Sequence, residues 1–381
     1  MKKIAIIGAN EFQNPLICKA KKLGYETHVF AWKDGAIGEK TADYFYPISI
    51  LEKEAILEKC KEIKIDAITT IASDLATVTV NYVANKMGLF GNTIETTKIA
   101  TNKYEMRKAF KSNHVKTPLF EIIDDMQDID KLNEIKYPII VKPTDRSGSR
   151  AITKIDKKEQ LEGAIEKAIK SSFEKKAIVE EYIEGEEYSA EGITFKGIHK
   201  FLTITKKITT GAPNFIETGH IEPAGLSKEV EEKVYIEISK ALDALKITNS
   251  ATHAEFKIKE NGEIQIIEIG ARMGGDCIGS DLVQISTGYD YLKMVIDVAM
   301  GIEPIFKKVQ LPKIAVIKFI INEKDMENYI KIKNEMPEKI YRISKIEKIG
   351  SREVIDSSSR FGFYILAFDD FEDIGWLFND G

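Results

Sequence analysis

Between residues 4 and 87, short β-branched runs alternate with segments of helical period, and this alternation narrows the fold more than any other feature of the chain. Residues 4–7 (Ile-Ala-Ile-Ile) form an apolar run closed by Gly8. A helix is predicted over about 15–23, ended by Gly24, and a second strand over 26–30. Helix 52–61, strand 67–70 and helix 75–87 follow. Strands separated by helices of this length imply βαβ units and a parallel sheet. Residues 1–98 are therefore expected to form a small doubly wound α/β domain. The turn Gly8-Ala9-Asn10 lacks the GxGxxG of a dinucleotide site. Ligands still tend to lie at the carboxyl ends of such strands, where Asn10, Ser73 and Asp74 fall, each either facing a ligand or capping a helix.

A chain of 381 residues is too long for one core, because single cores stop growing near ~250–300 residues. The pattern changes near residue 100. Helix 102–112 leads into strand 119–123, helix 128–134, strand 138–142 and a polar loop, and then strand 151–154, helix 158–172 and an acidic strand over 177–183. Two hairpin-like strands, 187–195 and 198–206, precede helix 227–245. From 306 onward, strands 313–321, 341–349 and 362–368 and helix 323–330 suggest a third, small α+β unit. With 55 basic against 60 acidic residues the net charge is −5, the wrong sign for a protein that grips nucleic acid by neutralising phosphates. The three cysteines, Cys18, Cys60 and Cys277, are scattered, which argues against a disulfide framework or a thiolate zinc site. The N-terminal apolar run is far too short for a signal peptide or a membrane span, so a cytoplasmic protein is expected.

The sharpest local inference concerns residues 250–275. Asn261-Gly262 between two β-rich runs signals a hairpin with a two-residue type I′ turn. That register sets Glu255 directly opposite Glu268, with Cβ atoms roughly 4.5–5.5 Å apart. Phe256, Ile258, Ile267 and Ile269 then share the core side. Opposed carboxylates repel, and a divalent cation removes the repulsion. Hard oxygen donors suit Mg²⁺ or Mn²⁺, with phosphate oxygens completing the shell. The alternative is a solvated acidic pair screened by Lys257 and Lys259. Arg272, four residues beyond Glu268, favours the metal, because an always-charged guanidinium beside a metal-bound phosphate stabilises transferring oxygens.

Two further segments suit a nucleotide. Lys142 ends a buried strand and precedes a Gly/Ser loop containing Ser147, Gly148 and Ser149, whose backbone N–H groups can receive phosphate. No GxxxxGK[ST] occurs, so this is not a Walker A loop. The strand around Glu180, Glu181 and Ile183 can offer alternate backbone donors and acceptors to a purine edge, or be merely an acidic surface strand.

Together these segments resemble the ATP-grasp superfamily, over about residues 1–305. The resemblance implies a pre-ATP-grasp domain over 1–98, an ATP-grasp domain over 99–305 with a small lid at about 115–185, and a C-terminal α+β domain over 306–381. It implies that Lys103 and Lys142 contact ATP phosphates and that Ser147, Gly148 and Ser149 form the mobile loop. Glu180, Glu181 and Ile183 match the adenine linker and Glu187 the ribose-binding acid. Glu255 and Glu268 match the magnesium ligands, and Arg272 the arginine that steadies the phosphorylated intermediate. Two positions depart from the pattern: Gly270 stands where many members carry a ligating Asn, and Ala151 where the family usually has Gly. The Glu-Ile-Gly-Ala-Arg form resembles the branch of bacterial amino-acid (dipeptide) ligases.

The activity so implied is ATP-dependent ligation of a carboxylate to an amine through an acyl phosphate, needing no covalent nucleophile on the protein. Asp74, His220, His253 and Arg360 are candidates for substrate contact, with structural roles as the alternative, while His28, His114 and His199 are expected to be structural. Partners expected are small-molecule carboxylate and amine substrates, with neither nucleic acid nor membrane, and a homodimer is compatible with this. Other readings are a bicarbonate-activating enzyme like carbamoyl-phosphate synthase or biotin carboxylase, and a non-catalytic nucleotide sensor. The first lacks a glutaminase domain or biotin-carrier motif here. The second predicts lost charges at positions where all are present.

Overall fold

In the computed structural model, residues 1–125, 129, 132, 134–212 and 215–377 are described, and three sheets organise them. The expected helix 128–134 falls largely outside these residues. The first sheet contains β1 (Lys3–Ile7), β2 (Glu26–Phe30), β3 (Tyr44–Tyr46) and β4 (Ala67–Thr69), all parallel in the order β3-β2-β1-β4. Residues 4–7 have no exposed surface, because helices cover both faces of this sheet. Ile4 and Ile6 pack with the helix Asn14–Lys22, and Ala5 and Ile7 with the helices Lys53–Ile63 and Asp74–Met87. Each fully buried isoleucine contributes about 1.5–3 kcal/mol.

Ile4 and Ile6 share that core with Tyr291, Leu292 and Val295 of the helix Tyr291–Ala299, for which the sequence pattern had supplied no element. All but Lys293 of its residues are buried, as an apolar helix between two layers must be. It joins the N-terminal sheet to the rest of the molecule.

The second sheet, β5 (Phe120–Ile123), β6 (Ile139–Pro143), β7 (Thr153–Ile155) and β8 (Ala177–Glu181), runs in the order β5-β8-β6-β7 and is backed by the helix Leu161–Ser171. The third is an antiparallel sheet of eight strands: β9 (Glu186–Phe195), β10 (Ile198–Thr209), β11 (Glu217–Glu222), β12 (Ser250–Ile258), β13 (Ile264–Gly270), β14 (Ile314–Ile320), β15 (Ile340–Ile343) and β16 (Gly362–Phe368). Its order is β13-β12-β9-β10-β11-β14-β16-β15. The strands of the expected third unit extend the central sheet, so the segments before and after 305/306 share one sheet through the pairing of β11 with β14. β11, absent from the sequence reading, is the link, pairing with β10 on one side and β14 on the other. Of the expected strand 341–349 only the first part forms, as β15.

The hairpin at 259–263 corrects the expected turn. Lys259 N–H donates to Glu263 O at 2.9 Å and Gly262 N–H to Lys259 O at 2.8 Å, with Gly262 at φ +78°. This is a three-residue loop with glycine in the left-handed position, not a type I′ turn. It shifts the pairing by one residue, giving Phe256↔Ile266. A bulge beyond Phe256 then inserts Ile267 as an extra residue and restores Glu255↔Glu268. The acidic pair is thus opposed through two irregularities that cancel. The bulge has a price: Ile264, Ile266 and Ile269 enter the core with Phe256, whereas Ile267, expected there, turns to line a cleft.

Candidate functional site

The carboxyl ends of β1 and β4, the second sheet and one face of the large sheet surround a cleft of about 850 Å³. Every residue singled out from the sequence as a candidate lines it: Lys103, Lys142, the loop Ser147-Gly148-Ser149, Glu180, Glu181, Ile183, Glu187, Glu255, Glu268 and Arg272, together with Asp74, His220, His253 and Arg360. Asn10 and Ser73 line it as well, each also serving a local turn. Asn10 Oδ1 accepts from Phe12 N at 2.8 Å, and Ser73 Oγ caps the helix Asp74–Met87 through Ala76 N at 3.2 Å.

At the acidic pair each carboxylate meets a lysine. Glu268 Oε1 accepts from Lys103 Nζ at 2.8 Å, and Glu255 Oε1 from Lys207 Nζ at 2.7 Å. The expected screening cations lie elsewhere: Lys257 donates to Ile183 O at 3.1 Å, and Lys259 pairs with Glu263 at 3.7 Å. Burial opposes ionisation of Glu255, but Lys207 and His253 outweigh it and hold its carboxyl well below the usual range. Lys207 is buried among Glu255, Glu187 at 3.2 Å and Glu217 at 3.7 Å, which overcome the cost of burial and keep it firmly protonated. Among the described residues no group of three or more His, Cys, Asp or Glu side chains could hold a metal alone. Two opposed carboxylates supply hard oxygen donors that suit Mg²⁺ or Mn²⁺, provided phosphate oxygens and water complete the shell.

A second charge centre lies under the phosphate loop. Glu180 is buried rather than displayed on the surface. Its Oε1 accepts from Arg107 Nε at 2.6 Å and its Oε2 from Lys142 Nζ at 2.6 Å. Burial raises the Glu180 pKa, but Arg107 and Lys142 overcome it and bring it to about 2. Arg107 also donates to Ile266 O at 3.2 Å and Ile267 O at 2.8 Å, carbonyls at the bulge. Lys103 and Arg107 are one turn apart on the helix Lys103–Ser112, so a single helix face serves both the acidic pair and the second sheet.

The loop itself is tied at its base. Asp145 accepts from Phe173 N at 3.1 Å and Glu174 N at 2.8 Å, and Lys103 Nζ donates to Arg146 O at 2.7 Å. Gly148, Ser149 and Ala151 all have left-handed backbones, at φ +72°, +56° and +55°. The last value shows why glycine suits position 151: alanine there carries strain on the order of 1 kcal/mol. Along the linker, Glu181 Oε2 accepts from Leu119 N at 3.0 Å, and Tyr182 lies between the ammonium groups of Lys154 and Lys257, each 4.8 Å from its ring centre.

Arg272 makes a two-bond pair with Asp74, both bonds 2.8 Å, and this holds the Asp74 carboxyl low against the effect of burial. A Cβ on Gly270 would stand 2.9 Å from Asp74 Oδ1 and 3.0 Å from Arg272 Cζ. The pair occupies the space an asparagine would need, which accounts for that departure. Arg360, expected either at a substrate or in a surface turn, is 9% exposed. Its guanidinium pairs with Asp276 at 2.9 and 2.6 Å and lies 3.5 Å from the Phe319 ring centre. His220 has no exposed surface, its Nε2 is 3.7 Å from Asp276 Oδ2, and neither ring nitrogen has a hydrogen-bond partner among the described residues. His253 bonds Glu191 through Nδ1 and lies 3.2 Å from Glu255 Oε1 through Nε2. Burial lowers its pKa, but Glu191 and Glu255 prevail and raise it to about 9. Lys207, Arg107, Glu191, Glu217 and Asp276 were not anticipated. Only Arg107, by its spacing from Lys103, carried a usable signal.

Residues 135–281 match a family model described as an ATP-grasp domain. Over that stretch the chain is similar to an ATP-grasp domain. That match spans Lys142, the loop, the linker, the acidic pair and Arg272, while Asp74, Lys103 and Arg360 lie outside it. Over 299 residues the chain is 29% identical to an alanine–anticapsin ligase of Bacillus subtilis, covering 70% of this chain and 63% of that protein, so it spans less than two thirds of that relative's length. A D-alanine–D-alanine ligase B of Chromobacterium violaceum is 30% identical over 182 residues, 46% of this chain and 58% of that one. The fold is that of an L-amino acid ligase from Bacillus licheniformis, superposing with a TM-score of 0.83 at 23% identity over 99% of this chain and 96% of the other. Among the described residues no helix is long and apolar enough to cross a membrane.

Proposed function

We propose that this chain is an ATP-dependent carboxylate–amine ligase, converting ATP, a carboxylate and an amine into an amide or peptide, ADP and phosphate. The activated substrate is an amino acid or another small carboxylic acid. The observation that carries this is the opposition of Glu255 and Glu268 in the same cleft as Lys103, Lys142, Arg272 and the Ser147-Gly148-Ser149 loop. The ligases among the relatives support the same class of reaction.

A carboxylate does not acylate an amine in water, because its oxygen leaves too poorly. One carboxylate oxygen therefore attacks the γ-phosphorus of ATP and ADP departs; the amine then attacks the acyl carbon, phosphate leaves, and the amine loses a proton. Phosphoryl transfer of this kind needs positioning and charge neutralisation. Lys103 and Lys142 bind phosphate oxygens, the loop closes over them through its backbone N–H groups, and Arg272 steadies the acyl phosphate. Glu255 and Glu268 would hold Mg²⁺ or Mn²⁺, which when bound neutralises charge on the β- and γ-phosphates. The backbone of Glu181 to Ile183 meets the adenine edge, Ile267 supplies an apolar surface beside it, and Glu187 meets the ribose. A closed lid excludes water, protecting the intermediate until the amine arrives. Asp74, His220, His253 and Arg360 border the substrate end.

Three functional units, 1–98, 99–305 with a lid at about 115–185, and 306–381, belong to this proposal, as does a cytoplasmic location with small molecules as the partners. The test is phosphate release from ATP and Mg²⁺ across pairs of amino acids, with products identified by mass. Release that depends on both a carboxylate and an amine is expected; release indifferent to any added carboxylate overturns the ligase assignment.

A further inference from the structure

Glu191 on β9 has no exposed surface, and a buried carboxylate is costly unless its oxygens are compensated. It lies directly across the ladder from His253. One carboxylate oxygen bonds His253 Nδ1; the other accepts from Gly274 N at 3.0 Å, with the Tyr291 hydroxyl at 3.5 Å. Both partners lead to the cleft. His253 presents its other ring nitrogen to Glu255 Oε1 at 3.2 Å, and Gly274 follows Arg272 by two residues. The approach is close enough that a Cβ on Gly274 would lie 2.6 Å from Glu191 Oε1 and 2.8 Å from His253 Nδ1, so the turn after Arg272 accepts only glycine there.

We propose that Glu191 is a positioning residue of the metal site: it fixes the His253 ring so that Nε2 braces Glu255, and through the Gly274 N–H it fixes the turn that carries Arg272. This rests on the reading of Glu255 and Glu268 as the metal-holding pair. Glu191 touches neither phosphate nor metal in this account; it acts through its neighbours, as outer-shell partners do.

The test is Mn²⁺ binding to the full chain saturated with ADP, followed by electron paramagnetic resonance. Loss of an outer-shell partner costs roughly 10–100-fold in metal affinity, so Glu191→Gln is expected to weaken Mn²⁺ binding at least tenfold with an unchanged circular dichroism spectrum. The Mg²⁺ concentration for half-maximal phosphate release rises in parallel. Wild-type Mn²⁺ affinity in Glu191→Gln overturns the proposal. Should that variant not fold, His253→Ala decides: it removes both the tie to Glu191 and the brace on Glu255, and undiminished Mn²⁺ affinity then refutes the assignment. A separate control isolates the underlying reading. If Glu255→Gln binds Mn²⁺ as well as wild type, the metal pair itself is wrong, and Glu191 falls with it.

Discussion

Replacing Glu180 by glutamine removes the carboxylate that bridges Arg107 and Lys142, whose side chains are 2% and 6% exposed. Its carboxyl titrates at about 2 in the fold against an ordinary value of 4.5. Held that far down, the ionised carboxylate contributes on the order of 3 kcal/mol at neutral pH. Removing one partner of a buried pair costs about 3–5 kcal/mol, because the cation left behind stays buried without its counter-charge. The sign follows from the depressed pKa: the contribution is complete above about 4.5 and disappears as the pH falls through about 2. By pH 3 roughly half should be gone, and a fully protonated wild-type Glu180 resembles the variant. Hydrogen exchange of the β6 and β8 amides, corrected for intrinsic rates at each pH, reads the local opening free energy without requiring the whole chain to unfold in one step. The expected result is a loss of about 3–5 kcal/mol in Glu180→Gln at pH 7, narrowing towards pH 3. A loss below about 1 kcal/mol at pH 7, the level of an exposed pair, or one independent of pH, would refute the account of this centre.

Glu268→Gln should abolish phosphate release while leaving the fold intact, since that carboxylate is only partly buried and its loss also removes the repulsion from Glu255 opposite; retained turnover would mean the metal is held elsewhere. Gly270→Asn should disturb the Asp74–Arg272 pair and destabilise the fold by about 1–3 kcal/mol, as overpacking does. An unchanged melting temperature would show that the space is not needed. Ala151→Gly should relieve a left-handed backbone. Slower hydrogen exchange across the phosphate loop is expected, because the ordered loop no longer carries that strain, and faster exchange contradicts it.

Much of the architecture was readable because its determinants are local. Residues 4–7 announce a strand buried on both faces, Gly24 closes the first helix, and Asn261-Gly262 marks a chain reversal. The acidic pair was readable for a subtler reason. The turn type inferred was wrong by one residue, but the bulge at Ile267 corrected the register, so the opposition of Glu255 and Glu268 survived while the placement of Ile267 did not. Periodicity along one strand carries no record of a bulge, which depends on what the neighbouring backbone needs. Arg107, meeting the carbonyls of Ile266 and Ile267 from a helix more than 150 residues earlier, is part of that need.

Composition and spacing along the chain were enough to specify strands, helices, the reversal and the residue types able to handle phosphate, because each depends on neighbours within a few positions. Which charges neutralise one another was decided only by folding. Lys207 reaches Glu255 across 48 residues, Glu191 meets His253 across 62, and Asp74 captures Arg272 across 198. A pairing of that kind exists only once sheets and helices are stacked, since burial raises the cost of each lone charge and leaves it stable only beside the partner the fold delivers.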